Sequence, residues 1–183
     1  QINFTPGTHQ RGMQSTLENQ AGFTMATWQH RPESYGYVRA RSQDPFKHPE
    51  IQPNYLAADT DQQVILAAIK ICRKLAQTEA LRPFIVNETF PGAACQNDDE
   101  LLNSAREIGQ SIYHLMGTCR MGNRDDKTAV VDAELRVHGI KNLRVIDASI
   151  MPTMVSANLN AAVMMIAEKG ADMVLGKLSA KPH

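Results

Sequence analysis

The sequence predicts an α+β fold, on three observations. Strand-like patches punctuated by Pro and Gly occupy residues 1–58. Two stretches with helical apolar spacing follow, over residues 59–78 and 97–109. After several short strand candidates, a third apolar stretch with helical character runs over residues 161–175.

Each element has a local reason. Residues 22–29 (GFTMATWQ) and 35–41 (YGYVRAR) carry the β-branched and aromatic side chains that suit a pleated strand. Pro32-Glu33-Ser34 between them reads as a turn, so the two are expected to pair as antiparallel strands. Asp44-Pro45-Phe46 and Pro49 stop any regular element, because proline lacks an N–H and restricts the residue before it. Residues 51–56 are expected to be extended or loop. Asp59-Thr60-Asp61 is expected to cap the first helix. Its buried stripe is Val64, Ala67, Ala68, Ile71, Cys72 and Leu75. Lys70, Arg73 and Lys74 lie off that stripe or toward the last turn, where the helix dipole favours cations. Pro83 and Pro91-Gly92 mark a loop. The second helix starts near Asn97-Asp98 and ends at Gly109, burying Leu101, Leu102, Ala105 and Ile108. Ala129-Val130-Val131, Leu135-Arg136-Val137 and Leu143-Arg144-Val145-Ile146-Asp147 are strand candidates. The last helix keeps Glu168 and Lys169 on its wet side, and the tail from Ser179 to His183 is expected to fray.

Composition excludes several function classes. At 183 residues the chain is one domain, or one large domain plus part of another. Nineteen basic and 19 acidic residues cancel, with no Lys/Arg stripe, so nucleic acid is not expected as a partner. The apolar run from Ala161 to Ala167 is far too short for a transmembrane segment. No leader is legible, and with Gln1 first the native N-terminus is expected to lie upstream. Cys72, Cys95 and Cys119 are odd in number and lack ligand spacing. No metal site is expected, and a reduced, cytoplasmic compartment is.

Two polar segments stand out. Residues 111–122 (SIYHLMGTCRMG) place His114 beside Gly117 and Gly122. A lone histidine is most often structural. Here the glycines let backbone approach a ligand, and Tyr113 and Met116 can wall an apolar pocket. A histidine so placed suits a general base near neutral pH. The second segment, Ser156-Ala157-Asn158-Leu159-Asn160, precedes the last helix. Simple N-capping is its bland reading. The functional reading is a helix N-terminus facing an anion. Asp147 would end a strand, where an acid either forms a turn or meets a ligand. Gly117 to Gly122 has phosphate-loop spacing but lacks the following Lys-Ser/Thr, and no G-x-G-x-x-G occurs. His9, His30, His48 and His138 are expected to face solvent.

Several motifs in order resemble the glucose–methanol–choline (GMC) oxidoreductases, specifically their C-terminal region. His30-Arg31-Pro32-Glu33-Ser34-Tyr35-Gly36 is similar to that family's RPxSxG turn. Asp44-Pro45-Phe46 and residues 51–56 (IQPNYL) resemble its DP…I.PNYL stretch, and Tyr113 through Gly122 its YHPVGTCRMG block. Leu135 to Gly139, Leu143 to Pro152 and Met164 to Lys169 match later blocks. The resemblance implies that His114 is the catalytic histidine and Asn158 the second catalytic position. Asn at that position is more like the choline-oxidising branch than the glucose oxidases. By the same resemblance Asp147, Ala148, Asn158, Leu159, Asn160 and Ala161 would line FAD. Leu115-Met116 replaces the family's common Pro-Val, and Leu159 replaces a frequent Pro, removing a rigid φ.

The implied architecture has two parts. Residues 1–124 would be part of a substrate-binding domain, an antiparallel sheet flanked by helices. Residues 125–183 would return to complete an α/β FAD-binding domain. The partners would be a small-molecule alcohol and an N-terminal FAD-binding half carrying the glycine fingerprint. The implied activity is oxidation of an alcohol to an aldehyde or ketone, by proton abstraction and hydride transfer to flavin N5. Its rivals are a redox-silent lyase on the same scaffold and an inert isolated domain without flavin.

Overall fold

A computed structural model describes residues 1–10 and 13–177; the expected fraying of Ser179 to His183 lies outside these. The described chain contains three α-helices and three small two-stranded sheets, in agreement with an α+β class. It divides into two compact units, residues 1–36 with 52–111, and residues 37–51 with 112–183.

In the first unit, β1 (Ile2–Thr5) pairs antiparallel with β4 (Thr24–Thr27), from Ile2 opposite Thr27 to Thr5 opposite Thr24. β2 (His9–Gln10) pairs with β3 (Met13–Leu17) across a register shift. The expected pairing of residues 22–29 with 35–41 is therefore corrected. β4 takes the chain start as its partner, and β5 (Tyr37–Arg39) pairs with β6 (Glu50–Gln52). The turn between them fails to close a hairpin because Glu33 and Ser34 are held elsewhere. Their N–H groups donate to Asp61 Oδ1 (2.9 Å) and Oδ2 (2.8 Å).

α1 spans Asp59–Ala76 and α2 spans Asp98–Ile108, and the two pack together. The N-cap of α1 is Ala58, which makes no side-chain cap bond. The expected acidic cap is thus displaced into the first turn, where Asp59 and Asp61 meet the positive end of the helix dipole. The buried stripe also differs: Val64, Ile71 and Leu75 are exposed, while Cys72 is buried. Residues 64–69 are apolar without interruption, so periodicity supports two neighbouring faces equally and only the packing partner selects one. Arg73 forks onto Glu88 (Nε to both carboxylate oxygens at 3.1 Å) and bonds the Gly92 carbonyl at 3.1 Å, tying the following loop to α1.

α2 begins as expected. Asn97 accepts from the Glu100 N–H at 2.9 Å, and Glu100 accepts from the Asn97 N–H at 3.1 Å. This is a reciprocal capping box. Leu101 and Leu102 are buried, and Ala105 and Ile108 are half-buried. Asn97→Ala is expected to cost about 1 kcal/mol, read as a lowered urea midpoint with unchanged slope.

In the second unit, the hairpin of β5 and β6 is pinned by the Tyr37 hydroxyl, which donates to Glu50 at 2.8 Å. The core there is Val131, Leu135, Ile150, Met151, Leu159 and Ile166. The three strand candidates between 129 and 147 form only isolated bridges, such as Val131 with Val137 and Arg136 with Arg144. Left-handed residues recur too often for longer ladders: Leu135 (φ 64°), Gly139 (79°) and Asn142 (59°). α3 spans Asn160–Val174, with Glu168 and Lys169 exposed. It lies close against Ile146 at Gly170, where an added Cβ would run into the isoleucine side chain. Of the histidines expected to face solvent, only His48 is exposed; His9, His30 and His138 are half-buried.

Candidate active site

Two backbone segments build the site, both in the second unit. The first is the His114 loop. The N–H groups of Gly117, Cys119 and Met121 donate to the carbonyls of Ala148 (3.3 Å), Ser149 (2.9 Å) and Ile150 (2.8 Å). This parallel strapping lays residues 117–121 along the short 3₁₀ turn Ala148–Ile150. The far end of the segment is held by Asp126. Its carboxylate lies below the ordinary range because the Thr128 hydroxyl and N–H donate to it and the Arg120 guanidinium is close by. Sequence reasoning singled out both segments but not their mutual registry, which leaves no local signature.

The second segment leads from Met151 into α3. Met151 and Leu159 are buried in the core and fix its ends. Between them Asn158 is exposed and turned toward the loop. Its Nδ2 lies 2.8 Å from His114 Nε2. An amide N–H only donates, so in this orientation the Nε2 lone pair of His114 is the acceptor. The structure thus brings together the two residues that the sequence assigned to one chemical step.

The other singled-out positions group around this pair. The capping reading of Asn158 and Asn160 is not what the chain does. Leu159 is the N-cap of α3 and makes no side-chain cap bond. Asn160 is the first helical residue, and its Nδ2 contacts Met164 Sδ at 3.8 Å. Asn160 and Ala161 are exposed. Leu159 thus supplies no side-chain cap at the positive end of this 15-residue helix. Asp147 does not end a regular strand. It caps the 3₁₀ turn, accepting from the Ser149 N–H at 2.8 Å and from the Ser149 hydroxyl. Ala148 is half-buried beside it and supplies the carbonyl that anchors Gly117.

This helix start suits an anionic or electron-rich group. A helix start without a side-chain cap favours negative charge, and exposed Asn160 and Ala161 leave its N–H groups approachable. A cleft of about 800 Å³ in the same unit is lined by Arg124, Arg136, His138 and Arg144, among others, and by neither His114 nor Asn158. Among the described residues no His/Cys/Asp/Glu group suits a metal ion. No helix there is long and apolar enough to cross a membrane.

Comparison with known proteins gives a consistent result. A family model described as GMC oxidoreductase matches residues 32–167, a span that includes both His114 and Asn158. The chain is 48% identical over 147 residues to the mitochondrial choline dehydrogenase of Homo sapiens, covering 80% of this chain and 25% of that protein. It is 42% identical over 178 residues to an oxygen-dependent choline dehydrogenase of Escherichia coli, covering 97% of this chain and 31% of that one. Among solved structures, pyridoxine 4-oxidase from Mesorbium loti superposes with a TM-score of 0.70 at 32% identity, covering 86% of this chain and 30% of that one. The chain thus spans about a quarter to a third of the length of the curated relatives it matches.

Proposed function

The chain belongs to the GMC oxidoreductase family, and on that footing we propose that it forms the C-terminal part of an FAD-dependent alcohol oxidoreductase. Residues 1–124 are read as substrate-binding domain, and residues 125–183 as the segment that returns to the FAD-binding domain. The observation that carries the reading is the 2.8 Å contact between Asn158 Nδ2 and His114 Nε2, beside the uncapped start of α3.

A 2.8 Å separation leaves no room for an oxygen between the two nitrogens. An incoming alcohol would therefore exchange their direct bond for two bonds to itself. Its O–H would donate to His114 Nε2, and its oxygen would accept from Asn158 Nδ2. His114 then takes the proton as negative charge grows on the oxygen, and Asn158 stabilises that charge. Both interactions strengthen toward the transition state, which is where they accelerate the step. FAD supplies, when bound, the acceptor for the hydride that leaves the carbinol carbon. Ala148, Asn158, Leu159, Asn160 and Ala161 would hold it, with Asp147 bracing the turn that carries Ala148. The positive end of α3 would favour negative charge on a ring held there. The names of the human and bacterial relatives point to choline as the first alcohol to try. The three thiols, none of them in a disulfide, fit a reducing compartment.

Choline added anaerobically to the full-length protein is expected to bleach the flavin absorbance at a saturable rate. A flavin left yellow by choline and by other primary alcohols, in a protein that cleaves a cyanohydrin, would replace this reading with the redox-silent lyase.

A further inference from the structure

The cleft of about 800 Å³, lined by neither His114 nor Asn158, is built by two turns. One carries Arg124, and the other runs from His138 to Arg144. Main-chain bonds hold their bases together. The Gly122 N–H donates to the Val131 carbonyl at 3.0 Å, and the His138 N–H to the Val130 carbonyl at 2.9 Å. The His138 imidazole completes the join, its Nε2 donating to the Gly122 carbonyl at 3.1 Å.

Charge is uneven here, although the chain as a whole is neutral. The lining holds four cations, Arg124, Arg136, Lys141 and Arg144, against two carboxylates, Asp132 and Glu134. Both carboxylates are taken by one of the four. Arg136 Nε lies 2.8 Å from Asp132 Oδ2, and its Nη1 lies 3.0 Å from Glu134 Oε2. Arg144 Nε donates to the Glu134 main-chain carbonyl at 3.1 Å, which orients the guanidinium without neutralising it. Among the described residues, Arg124 and Lys141 make no ion pair. Three cations from two turns therefore line one concavity without a carboxylate to balance them. Their mutual repulsion is relieved by an anion seated between them.

We propose that this cleft binds the phosphate groups of an anionic ligand. The two arginines offer forked donors that match phosphate oxygens, and Lys141 adds a compact charge. The volume suits a small molecule, since such sites commonly measure about 300–1,000 Å³. The phosphate can belong to a soluble compound or to a phospholipid headgroup. In the second case Ile140 and Leu143, both exposed beside these cations, would meet the acyl boundary. The site is separate from the His114 pair, so its test does not depend on alcohol oxidation.

The test uses the full-length, flavin-loaded protein, in which the flavin's own phosphates are already accommodated. Inorganic pyrophosphate is titrated by calorimetry. In a second arm, vesicles of phosphatidylglycerol in phosphatidylcholine are compared with pure phosphatidylcholine by co-sedimentation. Arg124→Gln and Lys141→Gln each remove one cation that makes no ion pair in the fold. Each is expected to weaken binding about fivefold or more, while Arg124→Lys stays closer to the parent. Lys127→Gln removes a charge from the first turn but outside the cleft lining, and should stay within about twofold of the parent. Pyrophosphate binding with this pattern supports the site with a soluble phosphate as its ligand. Vesicle binding alone, with the same pattern and only on phosphatidylglycerol, supports it with a headgroup. Binding of neither probe overturns the proposal, and so does binding that Arg124→Gln and Lys141→Gln weaken no more than Lys127→Gln does.

Discussion

His114→Ala in the full-length protein is expected to lower kcat for the alcohol by about 10²–10⁴-fold, the usual contribution of a positioned base. Flavin content and absorbance should be retained, because the backbone strap that aligns residues 117–121 with Ala148–Ile150 involves no His114 side-chain atom. KM should change little if the imidazole acts mainly where charge develops. The neighbouring amide sharpens the expectation. Asn158 and His114 serve one oxygen through one hydrogen-bonded pair, so their losses should not add. The double replacement by alanine should fall well short of the product of the two single effects. Anaerobic stopped-flow measurement of flavin bleaching checks both statements. Parental turnover in His114→Ala would remove the histidine from the mechanism, and strict additivity would mean that the two side chains act separately.

Asp61→Asn carries the largest stability effect. Asp61 is 3% exposed, the sole polar side chain in the buried set of the described residues. It accepts from the N–H groups of Glu33 and Ser34 and from the Ser34 hydroxyl. That hydroxyl in turn accepts from the N–H groups of Ala57 and Ala58, each at 3.0 Å. One carboxylate and one serine therefore join the turn at residues 31–36 to the start of α1. An amide in place of the carboxylate turns an N–H donor toward these donors and leaves at least one of them buried without an acceptor. The expected cost is about 3 kcal/mol.

The same group sets an acid sensitivity. Burial alone would raise the Asp61 pKa, but the Ser34 hydroxyl, the N–H groups of Glu33 and Ser34, and the Gln29 side chain outweigh it and hold it below the ordinary value. The folded state therefore binds fewer protons here than the unfolded chain. The stabilisation is complete above about pH 4 and is lost as pH falls through the depressed folded value. Urea titrations in steps from about pH 6 to about pH 3 should show a steeper loss in the parent than in Asp61→Asn. Parallel slopes would show that the carboxylate contributes nothing to acid unfolding.

Short-range physics was legible in the chain itself. The capping box of Asn97 and Glu100 lies within four consecutive residues, so the start of α2 could be read directly. The bounds of α1 and α3 followed from apolar spacing, and the two polar segments that build the site were evident from their residue types. His114 and Asn158 were singled out on chemical grounds and by family likeness. Their contact spans 44 positions and depends on the strap from Gly117, Cys119 and Met121 to Ala148, Ser149 and Ile150.

Where the sequence misled, the deciding interaction was non-local. β4 and the strand after Pro32 looked like one hairpin, yet the turn between them is captured by Asp61 on α1 and each strand pairs elsewhere. The uninterrupted apolar run at the start of α1 allowed more than one buried face. Asn158 sits where a cap belongs, but its amide reaches the imidazole instead. Sequence alone determined the three helices and singled out the two polar segments that meet at His114 and Asn158, because propensity, capping and periodicity act within a few residues. Tertiary structure decided strand pairing, the burial of α1 and the strap that holds residues 117–121 along Ala148–Ile150. Each of these is set by groups distant in the chain, whose contacts override local preference once the core has closed.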